Sequence, residues 1–497
     1  MSGLVTFYKN RLEELDDKEA IKAILKGQKV DEATVFSLLD DCQAIAIETP
    51  QDILLFYQKF LTLIFVLPYS NVESSLTYLP IKELLKKGGC EGYWKSFQLP
   101  QAFAALCAYE ITGTYEKLDV RQLEKGGVLL ECGSHTLDGS VVRPFESAYL
   151  ALIWLYLGWA NQDEELLSAG LKLAQFCMNF CDNEGIPFEG LWTRESDYHP
   201  FAYYSALALL FSMASHLRLS SKMNVMKEVL FEKLEEKAVD CIDPLTFLLA
   251  LSFRKLIDEG KPYPETSPGL TLYDTDRSLG FLRYDFGSLS LACSVCGVNT
   301  GLGSIHKNGI HIGAFGPHYY PLADSECFGI YRISNGSREG FKDLTIERKE
   351  GECQFKGWSR VISPISNHVS KQNFSFAHPG TQWLFFDIRA EKEHLQLDVR
   401  MDKCIQESPL SFVFFVSAEK AHVKGDHSLI PGALERYQGR SGEIIFERGD
   451  KQLVIKPQFE GEMQVIPLAG KSHFWSADFL LAFSLTEKLK LYSWKVK

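Results

Sequence analysis

Residues 257–270 read IDEGKPYPETSPGL, a run with three prolines and two glycines. Proline removes a backbone donor and glycine favours turns, so neither a helix nor a strand ladder is expected to run through it. The stretch 261–270 reads as a linker, and the chain changes texture across it. Upstream, LLFYQKFLTLIF (54–65), FESAYLALIWLYLGWA (145–160) and AYYSALALLFSMASHL (202–217) are too long and too rich in Ala and Leu to be strands. Downstream, CQFKGWSRVIS (353–363), QWLFFDIRAE (382–391), HLQLDVRM (394–401), LSFVFFVSA (410–418), GEIIFERG (442–449), QLVIKP (452–457) and KLYSWKVK (490–497) are short, alternating or β-branched. Strand following strand without helical runs between them predicts antiparallel sheets in a sandwich-like domain. The expected organisation is a helical domain over 1–260, the linker, and an antiparallel β-sandwich over 271–497.

A repeat marks the helical half. Pro50, Pro100, Pro144, Pro200 and Pro244 each precede an apolar run, at spacings of 50, 44, 56 and 44 residues. Proline suits the first helical position, where its missing N–H costs nothing and its φ is already helical. Each interval has room for a helical hairpin, and SAGLKLAQFCMNFC (168–181) reads as one second helix. Successive hairpins close either as a solenoid or as an α/α toroid. The proline-started helices are apolar nearly all round, as inner helices are, whereas SSKMNVMKEVLFEKLEEKAVD (220–240) is amphipathic. That contrast favours the toroid, incomplete with five hairpins unless residues 5–47 supply a sixth.

Composition narrows the function classes. The 497 residues are 46% apolar and 23% charged, which excludes bulk disorder. A net charge of −12 argues against a protein that coats nucleic acid or adheres to membranes through basic patches. The charge is uneven: residues 1–270 hold 25 Lys+Arg and 38 Asp+Glu (−13), residues 271–497 hold 27 and 26 (+1). An acidic helical half disfavours a highly sulfated or otherwise polyanionic substrate. The N-terminal residues show no apolar signal core, and 53–68 is interrupted by Gln58 and Lys59, which suggests a buried helix rather than a span. Twelve scattered cysteines fit a reducing compartment, so the expectation is a soluble cytoplasmic protein, with no membrane or nucleic-acid partner and an undetermined oligomeric state.

The element order resembles that of the chondroitin/alginate lyase and heparinase-type polysaccharide lyases, and is similar to glycoside hydrolases with an α/α barrel and a trailing β-sandwich. The resemblance implies a carbohydrate-active enzyme, lyase or hydrolase, with a cleft between toroid and β domain. It lies in architecture and carries no diagnostic string.

If the prolines start inner helices, the loops before them share one rim and face positive helix ends. The loop before Pro200 contains Glu189, Trp192, Arg194, Asp197, Tyr198 and His199, and Arg143 precedes Pro144. A lyase acting on a uronate needs a base for the C5 proton and a cation to neutralise the carboxylate. Tyr198, His199, Arg194 and Arg143 are the catalytic candidates, with Trp192, Glu189 and Asp197 as substrate-binding candidates. A hydrolase would instead use opposed carboxylates from Glu189, Glu195 and Asp197. In the β half, the glycine-rich stretch 293–332 carries His306 and His311, which the resemblance places as further substrate-binding residues. The same loop residues also fit helix caps and groove packing, and the same histidines fit an ordinary sheet.

No cofactor or metal site is expected. Cys293-x-x-Cys296 lacks a second pair at zinc spacing, Gly301-Leu302-Gly303 opens no helix, and no GxxxxGK[ST], HExxH or GxSxG string occurs. The alternative to an enzyme is a non-catalytic glycan- or protein-binding scaffold of the same architecture.

Overall fold

Four of the described helices in the N-terminal part of the chain begin at proline. In chain order they are α1 (Glu19–Lys26), α2 (Glu32–Ala44), α3 (Pro50–Val66), α4 (Ser74–Lys87), α5 (Gln98–Thr112), α6 (Pro144–Asn161), α7 (Glu164–Asn179), α8 (Pro200–His216) and α9 (Pro244–Asp258). Four of the five repeat prolines open their helix, whereas Pro100 is the third residue of α5. The structure is a computed structural model describing residues 19–48, 50–88, 98–118, 120, 130–131, 141–142, 144–182, 185–188, 200–216, 227–228, 230, 232, 244–261, 281–294, 302–319, 342–361, 382–402, 410–423, 427–468 and 477–497. Most of the amphipathic run 220–240 and all of the linker beyond Lys261 lie outside these residues.

The described residues divide into two compact units. One is helical, with pieces in Met1–Leu129, Arg143–Ile186 and Asp197–Tyr273. The other has pieces in Leu130–Val142, Pro187–Ser196 and Asp274–Lys497, so two short excursions from the helical stretch of sequence group with the strands.

In the helical unit α3 packs on α5, α5 on α6, α6 on α8 and α8 on α9, and α9 returns to α3, while α6 also touches α9. Of these, α5, α6, α8 and α9 run the same way. Near their starts, the Phe103 and Tyr149 rings lie 6.2 Å apart and Tyr149 Oη meets Thr246 Oγ1 at 3.2 Å. Near their ends, Tyr156 meets Tyr109 and Phe253 edge-on at 5.9 and 5.4 Å, and Trp159 meets His216 at 5.9 Å. The Tyr156 hydroxyl donates to Glu110, and burial, followed by the Glu110 charge, pushes its pKa up. Helix α7 folds back on α6 through glycines. A Cβ on Gly158 would lie 2.8 Å from Leu167 N, and one on Gly170 3.0 Å from Leu155 N. Only hydrogen at both positions allows the two backbones to approach this closely. Asp163 caps α7, its carboxylate accepting from Leu166 N at 3.0 Å.

The run Asp52–Tyr69 is long and apolar enough to cross a membrane, with a mean hydropathy of 1.4 over 18 residues, so it is longer than the interrupted segment expected from the sequence. Half of it is buried, and Phe56, Tyr57, Phe60 and Leu63 are core residues of this unit.

In the other unit every pairing among the described strands is antiparallel. A small ladder pairs β1 (Leu130–Glu131) with β2 (Val141–Val142). The remaining strands are β3 (Phe281–Phe286), β4 (Leu289–Ser294), β5 (Gly303–Lys307), β6 (Ile310–Tyr319), β7 (Lys342–Lys349), β8 (Glu352–Val361), β9 (Gln382–Glu391), β10 (His394–Met401), β11 (Leu410–Ser417), β12 (Lys420–Val423), β13 (His427–Leu429), β14 (Tyr437–Arg440), β15 (Ile444–Arg448), β16 (Lys451–Pro457), β17 (Glu462–Pro467), β18 (Phe479–Leu485) and β19 (Tyr492–Val496). Among the described strands, a nine-stranded sheet has the order β13-β12-β15-β16-β19-β10-β9-β8-β7, and an eight-stranded sheet the order β14-β17-β18-β11-β6-β5-β4-β3. Their inner faces share one apolar core. Trp494 of the larger sheet stacks on Phe412 of the smaller at 4.5 Å, with Phe414 and Phe483 around it at 5.9 and 5.5 Å. The single-residue alternation of each strand sends the other set of side chains to the outer faces.

Candidate functional site

The sequence Ser304-Ile305-His306-Lys307-Asn308-Gly309-Ile310-His311-Ile312 builds a two-residue hairpin. Asn308 and Gly309 both have positive φ, 54° and 70°, the left-handed pair that matches a hairpin's twist and that Asn-Gly adopts most readily. This turn sets His306 opposite His311 in the β5–β6 ladder. Ile305, Ile310 and Ile312 then face the core, and both histidines face outward from the eight-stranded sheet. Their imidazoles stack with centroids 4.3 Å apart and planes at 30°.

The register extends this pair into a polar row. Ser290 of β4 stands opposite His306, and Asp285 of β3 opposite Ser290. On the other side, Ser417 of β11 stands opposite His311. Ser290 Oγ donates to Asp285 Oδ1 at 2.7 Å, and Arg283 grips the same carboxylate through Nε at 2.5 Å and a second nitrogen at 3.2 Å. At the far end Ser417 Oγ donates to Asp478 at 3.1 Å and accepts from Arg448 at 2.9 Å. The row thus ends in a carboxylate–guanidinium group on either side of the imidazoles.

Phe188 covers part of this row. Its ring lies 4.7 Å from that of His306, and the Arg283 guanidinium is 5.6 Å from its centroid. Phe188 is fully buried, His306 is 3% exposed and His311 is half-buried. His311 is the accessible member of the pair, and His306 backs it. Imidazoles can donate or accept a proton near neutral pH, serines and carboxylates can orient them, and a guanidinium can meet an anion.

The structure brings together His306 and His311. Tyr198, His199, Arg194, Arg143, Trp192, Glu189 and Asp197 lie outside the described residues. Cys293 points into the core with Leu289 and Leu291, on the opposite face of the sheet from the histidines, so strand alternation keeps it out of any ligand set with them. Phe188, Arg283, Asp285 and Ser290 were not singled out by the sequence. Arg283-x-Asp285 and the strand following it carried an alternation signal, while Phe188 reaches the row only through tertiary placement.

No family model matches the chain, and no curated protein matches it by sequence. Solved polysaccharide lyases are similar to it in architecture at low identity. A heparan sulfate lyase of Pedobacter heparinus aligns at 10% identity over 99% of this chain and 74% of its own, with a TM-score of 0.30. A xanthan lyase of Paenibacillus aligns at 11% identity over 99% of this chain, which spans 59% of that enzyme, with a TM-score of 0.39. A chondroitinase AC lyase aligns at 9% identity over 96% of this chain and 82% of its own, with a TM-score of 0.32.

Proposed function

We propose that this protein is a carbohydrate-active enzyme, a lyase or hydrolase acting on a neutral or weakly acidic glycan. The observation that carries the reading is the stacked His306–His311 pair within the Asp285–Ser290–His306–His311 row, with Phe188 and Arg283 beside it. In a lyase reaction one imidazole takes the proton next to a uronate carboxylate while a cation lowers the energy of the enolate-like intermediate. The candidates for the remaining roles are Tyr198 and His199 as base and acid, and Arg194 and Arg143 as the carboxylate-neutralising cations. Trp192, Glu189 and Asp197 are the candidate sugar contacts.

The proposal includes an α/α toroid as the helical architecture, supported by five helices in successive contact whose last member returns to the first. It also includes the division into a helical domain over 1–260, a linker and a β domain over 271–497, and a cytoplasmic setting. The buried free thiols Cys42, Cys107 and Cys353 support a reducing compartment.

The test is a glycan panel followed for both unsaturated-uronide absorbance and new reducing ends. His311→Ala is expected to lower turnover by about 10²–10⁴-fold, the usual contribution of a positioned acid–base group. Full activity in this variant refutes the role of the pair. Full activity in the Tyr198→Phe, His199→Ala double variant refutes the loop assignment alone. A second reading, a glycan- or protein-binding scaffold without turnover, is favoured by the near-complete burial of His306. Binding without product across the panel selects it.

A further inference from the structure

The outer face of the nine-stranded sheet is built differently from the polar row, and it lies on the other side of the sandwich. On β9 the outward residues are Trp383, Phe385, Asp387 and Arg389, alternating with the core residues Leu384, Phe386 and Ile388. Register sets Trp358 of β8 and Arg400 of β10 beside Phe385. The next row across the strands is Lys356–Asp387–Asp398, and the one after it Gln354–Arg389–Gln396.

The first row and Trp383 form an aromatic step. The Trp358 and Trp383 rings meet edge to face at 4.6 Å, and Phe385, their neighbour across and along the sheet, is 42% exposed. An exposed phenylalanine held on a strand in the middle of a sheet has no core to fill. The two rows beside it are tied into one network. Gln354 and Arg389 each donate to Asp387 at 2.7 Å, Arg389 reaches Asp398 at 3.3 Å, and Gln396 donates to Asp398 at 3.1 Å. Lys356 and Arg389 nevertheless keep about half of their side-chain surface, 49% each.

We propose that this face is a second glycan-binding surface, distinct from the histidine row, that holds a neutral polysaccharide chain across β8, β9 and β10. It deepens the carbohydrate reading above and rests on it for the class of ligand. A sugar ring has an apolar C–H face and a rim of hydroxyls that both donate and accept. Aromatic rings match the first and a locked array of amide, carboxylate and guanidinium groups the second. Same-face side chains recur about 6.8 Å along a strand and about 4.8 Å between strands, close enough for one pyranose to span the step and the adjacent row. Prior locking of the polar groups lowers the ordering cost of binding. Lys356, Arg389 and Arg400 stand against Asp387 and Asp398, three cations against two carboxylates, so the face is close to neutral overall and suits an uncharged chain.

The experiment is native electrophoresis of the full chain in gels containing pullulan, galactomannan or hydroxyethyl cellulose, with chondroitin sulfate as the polyanionic arm. Retardation by at least one neutral glycan is expected, weakened about tenfold by Phe385→Ala, equivalent to about 1.4 kcal/mol. Phe385 is exposed, so this variant folds, and an unchanged near-UV circular dichroism spectrum verifies that. Unretarded migration in all three neutral gels, retention confined to chondroitin sulfate, or wild-type retention of Phe385→Ala each overturns the proposal. His311→Ala separates the two sites. It is expected to be retained like wild type while losing turnover. Turnover without neutral-glycan retention removes the surface and leaves the enzyme; retention without turnover does the reverse.

Discussion

The two outer faces of the sandwich are made of the same kind of strand and do opposite things. Every residue of β11 from Leu410 to Val416 is buried, on both faces of the sheet, and Val413 and Phe415 belong to a second apolar cluster with Ala314, Leu480 and Ala482. Strand β9, by contrast, alternates strictly between core residues and exposed or half-exposed ones. The eight-stranded sheet is therefore buried on both faces along β11. The histidine row lies on a face where water is scarce, which strengthens its electrostatics. The aromatic step lies on a face where water is plentiful and a large ligand has access.

Paired truncations test that comparison. Phe415→Ala, on the buried outer face, is expected to destabilise the β unit by about 3–5 kcal/mol, as Trp494→Ala in the shared core does. Phe385→Ala, on the exposed outer face, is expected to change stability by less than about 1 kcal/mol. Urea unfolding followed by tryptophan fluorescence measures both, and similar losses at positions 415 and 385 break the comparison.

The helical unit supplies an intermediate case. Gly158→Ala pushes a methyl against the backbone of α7, and overpacking of this sort costs about 1–3 kcal/mol. Unchanged stability by thermal unfolding would show that α6 and α7 separate easily.

The smallest effect concerns acid. Burial pushes the Asp387 carboxyl up, but hydrogen bonds from Arg389 and Gln354 and the charges of Arg389 and Lys356 outweigh it and hold the group below the usual carboxylate value of 3.8. A depressed folded-state pKa stabilises the fold above the unfolded pKa, and that stabilisation is lost as pH falls through the folded value. Wild type is expected to lose stability more steeply than Asp387→Asn below about pH 4, close to the unfolded carboxylate pKa. Parallel Tm profiles from about pH 6 downward, across that range, measure the difference.

The order of helices before strands was legible because proline placement and residue alternation are local signals. Pro144, Pro200 and Pro244 each open a helix where the sequence places it. The histidine pair was half legible. His306 and His311 stood out by composition, and the Asn308–Gly309 turn between them carried the register. Arg283, Asp285 and Ser290 carried only an alternation signal, because their alignment with His306 depends on the registers of β3, β4 and β5, which the sequence does not state. Phe188 was harder still: it comes from a short segment inside the helical stretch that groups with the strands. The outer face of β8–β10 had its alternation in plain view, yet its meaning required knowing which side was already filled.

The Asn308–Gly309 turn has a further consequence for how the chain avoids misfolding. A one-residue slip of β6 against β5 would send Ile310 and Ile312 to the outer face and turn His311 toward the apolar core. An imidazole buried there without a partner costs roughly 2–7 kcal/mol, before the exposed isoleucines are counted. The polar face therefore guards the pairing of the hairpin that displays it. Replacing both histidines with apolar residues would remove that guard, leaving the two registers much closer in energy.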